Sequence, residues 1–169
     1  MAIEQVSMHG KPFTLAGTPV SVGKPIPDFT VVDSDLKPVT RSLFIGSPCI
    51  ISSVVSLDTP VCDVQMRRFS EEAARLGGKL QIVVVSMDLP FAQKRWCGAV
   101  GAGNVRAFSD YREASFGNAF GVLIKDLRLL ARAVFVVDAK GVLRYAQVVP
   151  EVTDEPDYRA ALDAVRGLG

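Results

Sequence analysis

The chain contains few of the residues that usually build metal or dithiol sites. Its 169 residues include three cysteines, one tryptophan and a single histidine, His9. No two cysteines have the close spacing of a zinc site or of an adjacent Cys-x-x-Cys pair. The sequence therefore gives no zinc pattern, and it excludes the adjacent dithiol motif of thioredoxin-type proteins.

Long apolar runs and an excess of one charge are also missing. No apolar run approaches membrane-spanning length. The net charge of +1 gives no indication of nucleic acid or an anionic membrane as a partner. Residues 1–5 lack the basic segment and apolar stretch of an export signal. We therefore expect a cytoplasmic protein, whose cysteines are more often redox-active than structural.

The composition and the order of patterns predict one α/β domain over residues 1–169. A hydrophobic content of 49% with 22% charged residues is ordinary for a globular protein of this length. Apolar runs and amphipathic segments alternate, which predicts a mixed central sheet flanked by helices on both faces. The strands are predicted over residues 6–15 (a hairpin turning at 9–11), 30–32, 39–40, 49–55, 80–86, 133–137 and 142–148. The helices are predicted over residues 62–76, 90–98, 113–120 and 156–167.

Residues 59–62 (TPVC) carry the most informative pattern. They lie between an apolar run typical of a buried strand and an amphipathic helix. Thr59 is a preferred N-cap, and Pro60 suits the first helical position. Cys62 should therefore lie in the first helical turn, where free backbone N–H groups and the helix dipole favour an anion. A cysteine there is a candidate for a stabilised thiolate, which is the nucleophilic form.

The other two cysteines have different surroundings. Cys97 lies at the end of a short predicted helix, and this helix end should fray easily because Gly101, Gly103 and Asn104 follow it. It could therefore move toward a partner thiol. Cys49 lies inside a predicted strand, where a cysteine usually serves as a small buried apolar residue.

Two further residues have both a structural and a functional interpretation. Arg132 stands at the start of an apolar strand, where an unpaired guanidinium would be costly, so it could be the cation that pairs with a thiolate. From the residues alone, an exposed arginine at a strand end fits as well. Thr59 could cap the helix, or its hydroxyl could bond the sulfur. His9, in a predicted hairpin turn, is expected to be solvated.

Four sequence blocks together resemble the bacterial thiol peroxidases, the atypical two-cysteine branch of the peroxiredoxins. The blocks are SLDTPVC at 56–62, DLPFAQKRWCG at 88–98, ARAVFVVD at 131–138 and TDEPDY at 153–158. The resemblance extends over essentially the whole chain. One departure is plain, because Val55 stands where the family has a proline.

This resemblance implies a thioredoxin-like fold with an added N-terminal hairpin, and a thiol-specific peroxidase acting on alkyl hydroperoxides and hydrogen peroxide. In that chemistry the Cys62 thiolate attacks the peroxide and Cys97 closes an intramolecular disulfide. Arg132 polarises the O–O bond, while Thr59 and the Cys62 N–H hold the peroxide oxygens. Thioredoxin restores the thiols, the chain forms a homodimer, and no metal, haem or flavin takes part. A thioredoxin-type disulfide oxidoreductase and a non-enzymatic redox sensor are the alternatives.

Overall fold

The computed structural model describes residues 3–77, 79–100 and 104–168, and a mixed sheet of seven strands forms the centre of this part of the chain. The strands in chain order are β1 (Gln5–Met8), β2 (Lys11–Ala16), β3 (Thr30–Val32), β4 (Pro38–Thr40), β5 (Cys49–Ser53), β6 (Gln81–Ser86), β7 (Val105–Ser109), β8 (Leu123–Ile124), β9 (Leu129–Leu130), β10 (Ala133–Val137) and β11 (Leu143–Val148). The α-helices are α1 (Pro60–Arg75), α2 (Pro90–Val100), α3 (Ser115–Phe120) and α4 (Tyr158–Arg166).

The central sheet has the order β11-β10-β5-β6-β7-β3-β4. The neighbouring strands β5, β6 and β7 are parallel, whereas the remaining pairs of this sheet are antiparallel. Parallel neighbours need crossover connections, which α1 and α2 supply. The predicted α/β class and mixed sheet are therefore confirmed.

Both faces of the central sheet are buried, which explains its near-continuous apolar strands. One face packs an aromatic-rich core with Phe116 and Phe120 of α3. The other face packs against α1 and α4, and its core includes Cys62 and Tyr158. Residues that follow one another along a strand therefore pack into different cores. Within the described residues, no helix is long and apolar enough to cross a membrane.

The predicted N-terminal hairpin is present as β1 and β2. His9 and Gly10 form its turn, and both have positive φ angles of 51° and 77°. A two-residue turn of this kind matches the twist of its strands. The hairpin strand β2 also pairs with β8, and β8 pairs with β9. The four strands β1, β2, β8 and β9 form a small antiparallel sheet that is separate from the central sheet.

Several element boundaries differ from the predictions. The strand predicted over residues 49–55 ends at Ser53, because its pairing with β10 ends at the Ser53–Ala133 pair. The helix of Cys97 continues past Gly98 to Val100, and residues 101–103 beyond it lie outside the described part. The helices α3 and α4 are both shorter than predicted. The sequence patterns did not predict β7, the two-residue strands β8 and β9, or a 3₁₀ turn over Arg41–Phe44. The two-residue strands carry too few residues for a period to show, and β7 (VRAFS) contains a charged and a polar residue that interrupt an apolar run.

Candidate active site

Cys62 lies in the first turn of α1, as the sequence predicts. Thr59 occupies the N-cap position with extended backbone angles, and Pro60 begins the helix. Cys62 is fully buried, in the core shared by α1 and α4. Its sulfur therefore lies near the positive end of a sixteen-residue helix, away from bulk water.

The Thr59 hydroxyl bonds the sulfur and does not cap the helix. Thr59 Oγ1 lies 2.8 Å from Cys62 Sγ and 3.0 Å from the Ser56 carbonyl oxygen, and its side chain makes no capping hydrogen bond. The hydroxyl carries one proton, and a thiolate accepts it more strongly than a neutral carbonyl. Of the two roles left open for Thr59, the structure therefore favours the contact with sulfur.

Arg132 is buried beside Cys62 and is only 2% exposed. Its Nη1 donates to Cys62 Sγ at 3.3 Å and to Gln65 Oε1 at 2.8 Å. Its Nε donates to the Val152 carbonyl oxygen at 2.8 Å. The interpretation of Arg132 as an exposed strand-end residue is therefore wrong. A fixed guanidinium in a buried setting attracts a thiolate more strongly than it would in water.

Gln65 is a site residue that the sequence analysis missed. It is fully buried, accepts from Arg132, and donates through Nε2 to Ser52 Oγ of β5. It thereby fixes the guanidinium from the side of α1. Its spacing of three residues from Cys62 places both on one helix face, and a glutamine on an otherwise apolar face was the signal available in the sequence.

Residues 149–153 hold Arg132 from the other side. The Val149 N–H donates to the Arg132 carbonyl oxygen at 2.9 Å, and Val152 accepts from its guanidinium. The N-terminal hairpin supports this segment, since the backbone of Ser7 bonds both Pro150 and Val152. Glu151 adds bonds to the Ser7 hydroxyl and to the backbone N–H groups of the hairpin turn. The bond from the Thr153 hydroxyl lowers the pKa of Glu151 most, and bonds from the Gly10 N–H, the Ser7 hydroxyl and the Thr153 N–H act with it to bring the pKa to about 2.

Cys97 lies on α2 and faces away from the residues that precede Cys62. We call residues 56–59 the reactive loop. A cavity of about 510 Å³ separates this loop from the face of α2 that carries Ala92, Trp96 and Ala99. Cys97 lies on another face of α2, which lines a second depression with residues 105–108 of β7. The structure therefore brings Thr59, Cys62 and Arg132 together, but does not bring Cys97 to them.

The environments of the two remaining thiols both raise their pKa. Burial raises the pKa of the half-buried Cys97 thiol, and a hydrogen bond with the backbone of Ala107 acts in the opposite direction. Burial raises the pKa of Cys49 well above its ordinary value, and the charge of Arg106 offsets little of this. Cys49 is fully buried in the aromatic-rich core, and all three cysteines are free thiols.

Comparisons with known proteins identify the family. The Redoxin family model matches residues 21–162. A thiol peroxidase of Listeria innocua is 50% identical over 162 residues, which cover 96% of this chain and 98% of that protein. A thiol peroxidase of Bacillus subtilis is 49% identical over 164 residues, covering 97% and 98% of the two chains.

Solved structures give the same fold. A peroxiredoxin-like protein from Aquifex aeolicus superposes with a TM-score of 0.88 at 39% identity, covering 99% of this chain and 98% of that chain. A thiol peroxidase from Chromobacterium violaceum superposes with a TM-score of 0.86 at 21% identity, with coverage of 96% and 95%, and shows the fold alone. With its buried Cys62–Thr59–Arg132 cluster on this fold, the chain belongs to the Redoxin family and, within it, to the bacterial thiol peroxidases of the peroxiredoxin type.

Proposed function

We propose that this protein is a thiol peroxidase that reduces hydroperoxides through Cys62 and Cys97, with thioredoxin as the reductant. One observation carries the proposal. The sulfur of Cys62, in the first turn of α1, has the Thr59 hydroxyl at 2.8 Å and the Arg132 guanidinium at 3.3 Å. A helix N-terminus, a hydroxyl and a cation converging on one sulfur favour a thiolate at that position.

In the first step, the Cys62 thiolate attacks one oxygen of the hydroperoxide. The S–O bond forms as the O–O bond breaks, sulfur supplies two electrons, and Cys62 becomes a sulfenic acid. The alkoxide takes up a proton from water and leaves as an alcohol, or as water when the substrate is hydrogen peroxide. Arg132 and Thr59 are fixed before the reaction, so their charge and dipole stabilise the developing oxyanion without reorganisation.

In the second step, the Cys97 sulfur attacks the Cys62 sulfenic sulfur. The S–S bond forms, the S–O bond breaks, and one water molecule leaves. Cys97 lines the depression beside β7 and not the cavity beside the reactive loop, so α2 must turn or unwind to bring it to Cys62. We infer that part of α2 and the first turn of α1 open in this step.

In the third step, a dithiol of the thioredoxin type reduces the disulfide by exchange. Two electrons pass from the dithiol to the Cys62–Cys97 bond, and both cysteines return to thiols. The thioredoxin partner, the homodimer and the cytoplasmic location remain predictions.

A peroxide-reduction rate constant tests the proposal. Reduced protein mixed with cumene hydroperoxide or hydrogen peroxide should react with a second-order rate constant within roughly 10⁴–10⁸ M⁻¹s⁻¹, the range of dedicated enzymes, with the alkyl hydroperoxide favoured. Mass spectrometry of the product should show one Cys62–Cys97 disulfide per molecule. A redox sensor would oxidise far more slowly, and a disulfide oxidoreductase would instead reduce insulin.

Hydrogen exchange tests the opening of the helices. Oxidation to the disulfide should reduce amide protection in the first turn after Thr59 and at the end of α2 around Gly98. The middle of β6 should keep its protection and serves as an internal control. Equal protection of reduced and oxidised protein in both segments would contradict the inferred opening.

A further inference from the structure

Asp88 connects the reactive loop to the helix that carries Cys97. It follows β6 and stands two residues before α2 begins at Pro90. Its carboxylate accepts from the Ser56 hydroxyl at 2.7 Å and from the Leu57 N–H at 2.8 Å, both in the reactive loop. It also accepts from the Ser86 hydroxyl of β6 at 2.7 Å. One half-buried carboxylate therefore joins three separate donors.

The bonds around Asp88 extend to the reactive loop on one side and to the central sheet on the other. On one side, the Ser56 carbonyl oxygen lies 3.0 Å from the Thr59 hydroxyl, which contacts the Cys62 sulfur. On the other side, the Asp88 carbonyl oxygen accepts from the Ser109 hydroxyl of β7 at 2.5 Å. The start of α2 is thereby fixed on the sheet, and the loop is fixed to the start of α2.

Away from Asp88, the reactive loop and α2 diverge around the 510 Å³ cavity. The cavity leaves room for α2 to turn once its first residues are released. Closure of the disulfide requires such a movement, because Cys97 lines the depression beside β7. The same carboxylate therefore resists the opening of the loop and of the helix.

We propose that Asp88 is a positioning residue that holds the reactive loop and α2 closed while Cys62 reacts, and thereby limits the rate at which Cys97 closes the disulfide. The proposal rests on the two-cysteine mechanism proposed above. Asp88 touches no reacting atom. It acts by setting the fraction of molecules in which the loop and α2 are open.

Asp88→Asn tests this role. The asparagine amide retains one oxygen acceptor, while its NH₂ group cannot accept from Ser56, Leu57 or Ser86. Loss of charge-assisted bonds should raise the open fraction and the rate of disulfide formation about tenfold. Because the loop would still be closed in most molecules, peroxide attack on Cys62 should change by less than about twofold.

Stopped-flow fluorescence separates the two steps. Trp96, the single tryptophan, lines the cavity beside the loop and reports its opening. The phase whose rate depends on peroxide concentration measures attack, and the phase independent of it measures disulfide closure. Mass spectrometry at high peroxide should show less Cys62 sulfinic acid in the variant, since the sulfenic acid is consumed sooner.

Asp58→Asn is the matched control. This substitution removes the same charge from the same cavity as Asp88→Asn does. In the described part of the chain, the exposed Asp58 carboxylate accepts no hydrogen bond. Both rate constants should stay within about twofold of the wild-type values. If Asp58→Asn accelerated closure as much as Asp88→Asn, charge and not position would be responsible, and the proposal would be wrong.

Ser56→Ala provides a second variant should Asp88→Asn fold poorly. It removes the Ser56 hydroxyl's bonds with Asp88 and with the Asp58 N–H and leaves the carboxylate in place, so it should accelerate closure by a smaller factor of about threefold. An equal fall of both steps in either variant would indicate general damage and overturn the role of Asp88. A wild-type protein that reduces peroxide without forming the Cys62–Cys97 disulfide would contradict the two-cysteine mechanism itself.

Discussion

Cys62 and Cys97 occupy opposite kinds of environment. Cys62 is fully buried at a helix N-terminus, with a hydroxyl and a guanidinium on its sulfur. Cys97 is half-buried near the end of α2, and burial raises the pKa of its thiol. The first environment surrounds a buried sulfur with fixed polar groups. The second raises the pKa of a half-buried thiol and places it on another face of α2, which supports Cys97 as the later-reacting thiol of the proposed mechanism.

Serine substitutions at the two cysteines should separate these environments most strongly. Cys62→Ser should abolish peroxide consumption, because the nucleophile is lost. Cys97→Ser should consume one equivalent of peroxide and then stop as a Cys62 sulfenic acid. Peroxide titration and intact-protein mass spectrometry measure both outcomes. Continued turnover of Cys97→Ser with thioredoxin would show that another group resolves the sulfenic acid.

Arg132→Lys should lower the rate constant for peroxide reduction by about 10²–10³-fold, the usual effect of losing a fixed donor to a developing oxyanion. A lysine ammonium lacks the planar fork with which Arg132 bonds the sulfur, Gln65 and Val152 together. Stopped-flow kinetics measure the loss. Arg144→Lys, in an exposed ion pair with Asp138, is the control and should leave the rate unchanged. A fall smaller than threefold for Arg132→Lys would mean that charge alone is sufficient.

Cys49→Ser should leave activity nearly unchanged, because Cys49 lies in the core on the sheet face opposite to that of Cys62. Burying its hydroxyl should lower the free energy of unfolding by about 1–3 kcal/mol. Cys97→Ser, at a half-buried position, should cost less. Urea denaturation should show a larger loss of unfolding free energy for Cys49→Ser than for Cys97→Ser. An inactive but folded Cys49→Ser would assign Cys49 a part in the chemistry.

Val55→Pro should have only a modest effect on the reaction. Val55 follows the end of β5, in a bend, and packs partly buried against the aromatic-rich core. Restoring the family's proline should raise the rate constant for peroxide reduction by less than about tenfold, or ~1.4 kcal/mol of barrier. Val55→Ala is the control for the loss of side-chain volume. A large fall in rate with an unchanged circular dichroism spectrum would show that the valine is a local adaptation.

Local patterns were sufficient to predict that Cys62 lies in the first turn of a helix. Thr59, Pro60 and Cys62 lie within four residues, and helix capping and the helix dipole operate at that range. Gln65 was visible only as a polar residue on an apolar helix face. The Asp88 and Val152 contacts were not predictable, because they join segments far apart in the chain.

The position of Cys97 on α2 was equally inaccessible to sequence reasoning. The helix has charged, aromatic and small residues around its circumference, so no apolar stripe indicates which side faces the sheet. The boundary errors have a related cause. The strand of Cys49 ends where its partner strand ends, and the identity of that partner is a property of the whole sheet.

The support of Arg132 by residues 149–153 also has a consequence for the newly made chain. Cys62 and Arg132 are 70 residues apart, and the Val152 carbonyl that orients the guanidinium lies 20 residues further on. During synthesis, the thiol therefore leaves the ribosome long before its cation does. Under the proposed mechanism, Cys62 therefore acquires its peroxide reactivity only after the last part of the chain is made and folded.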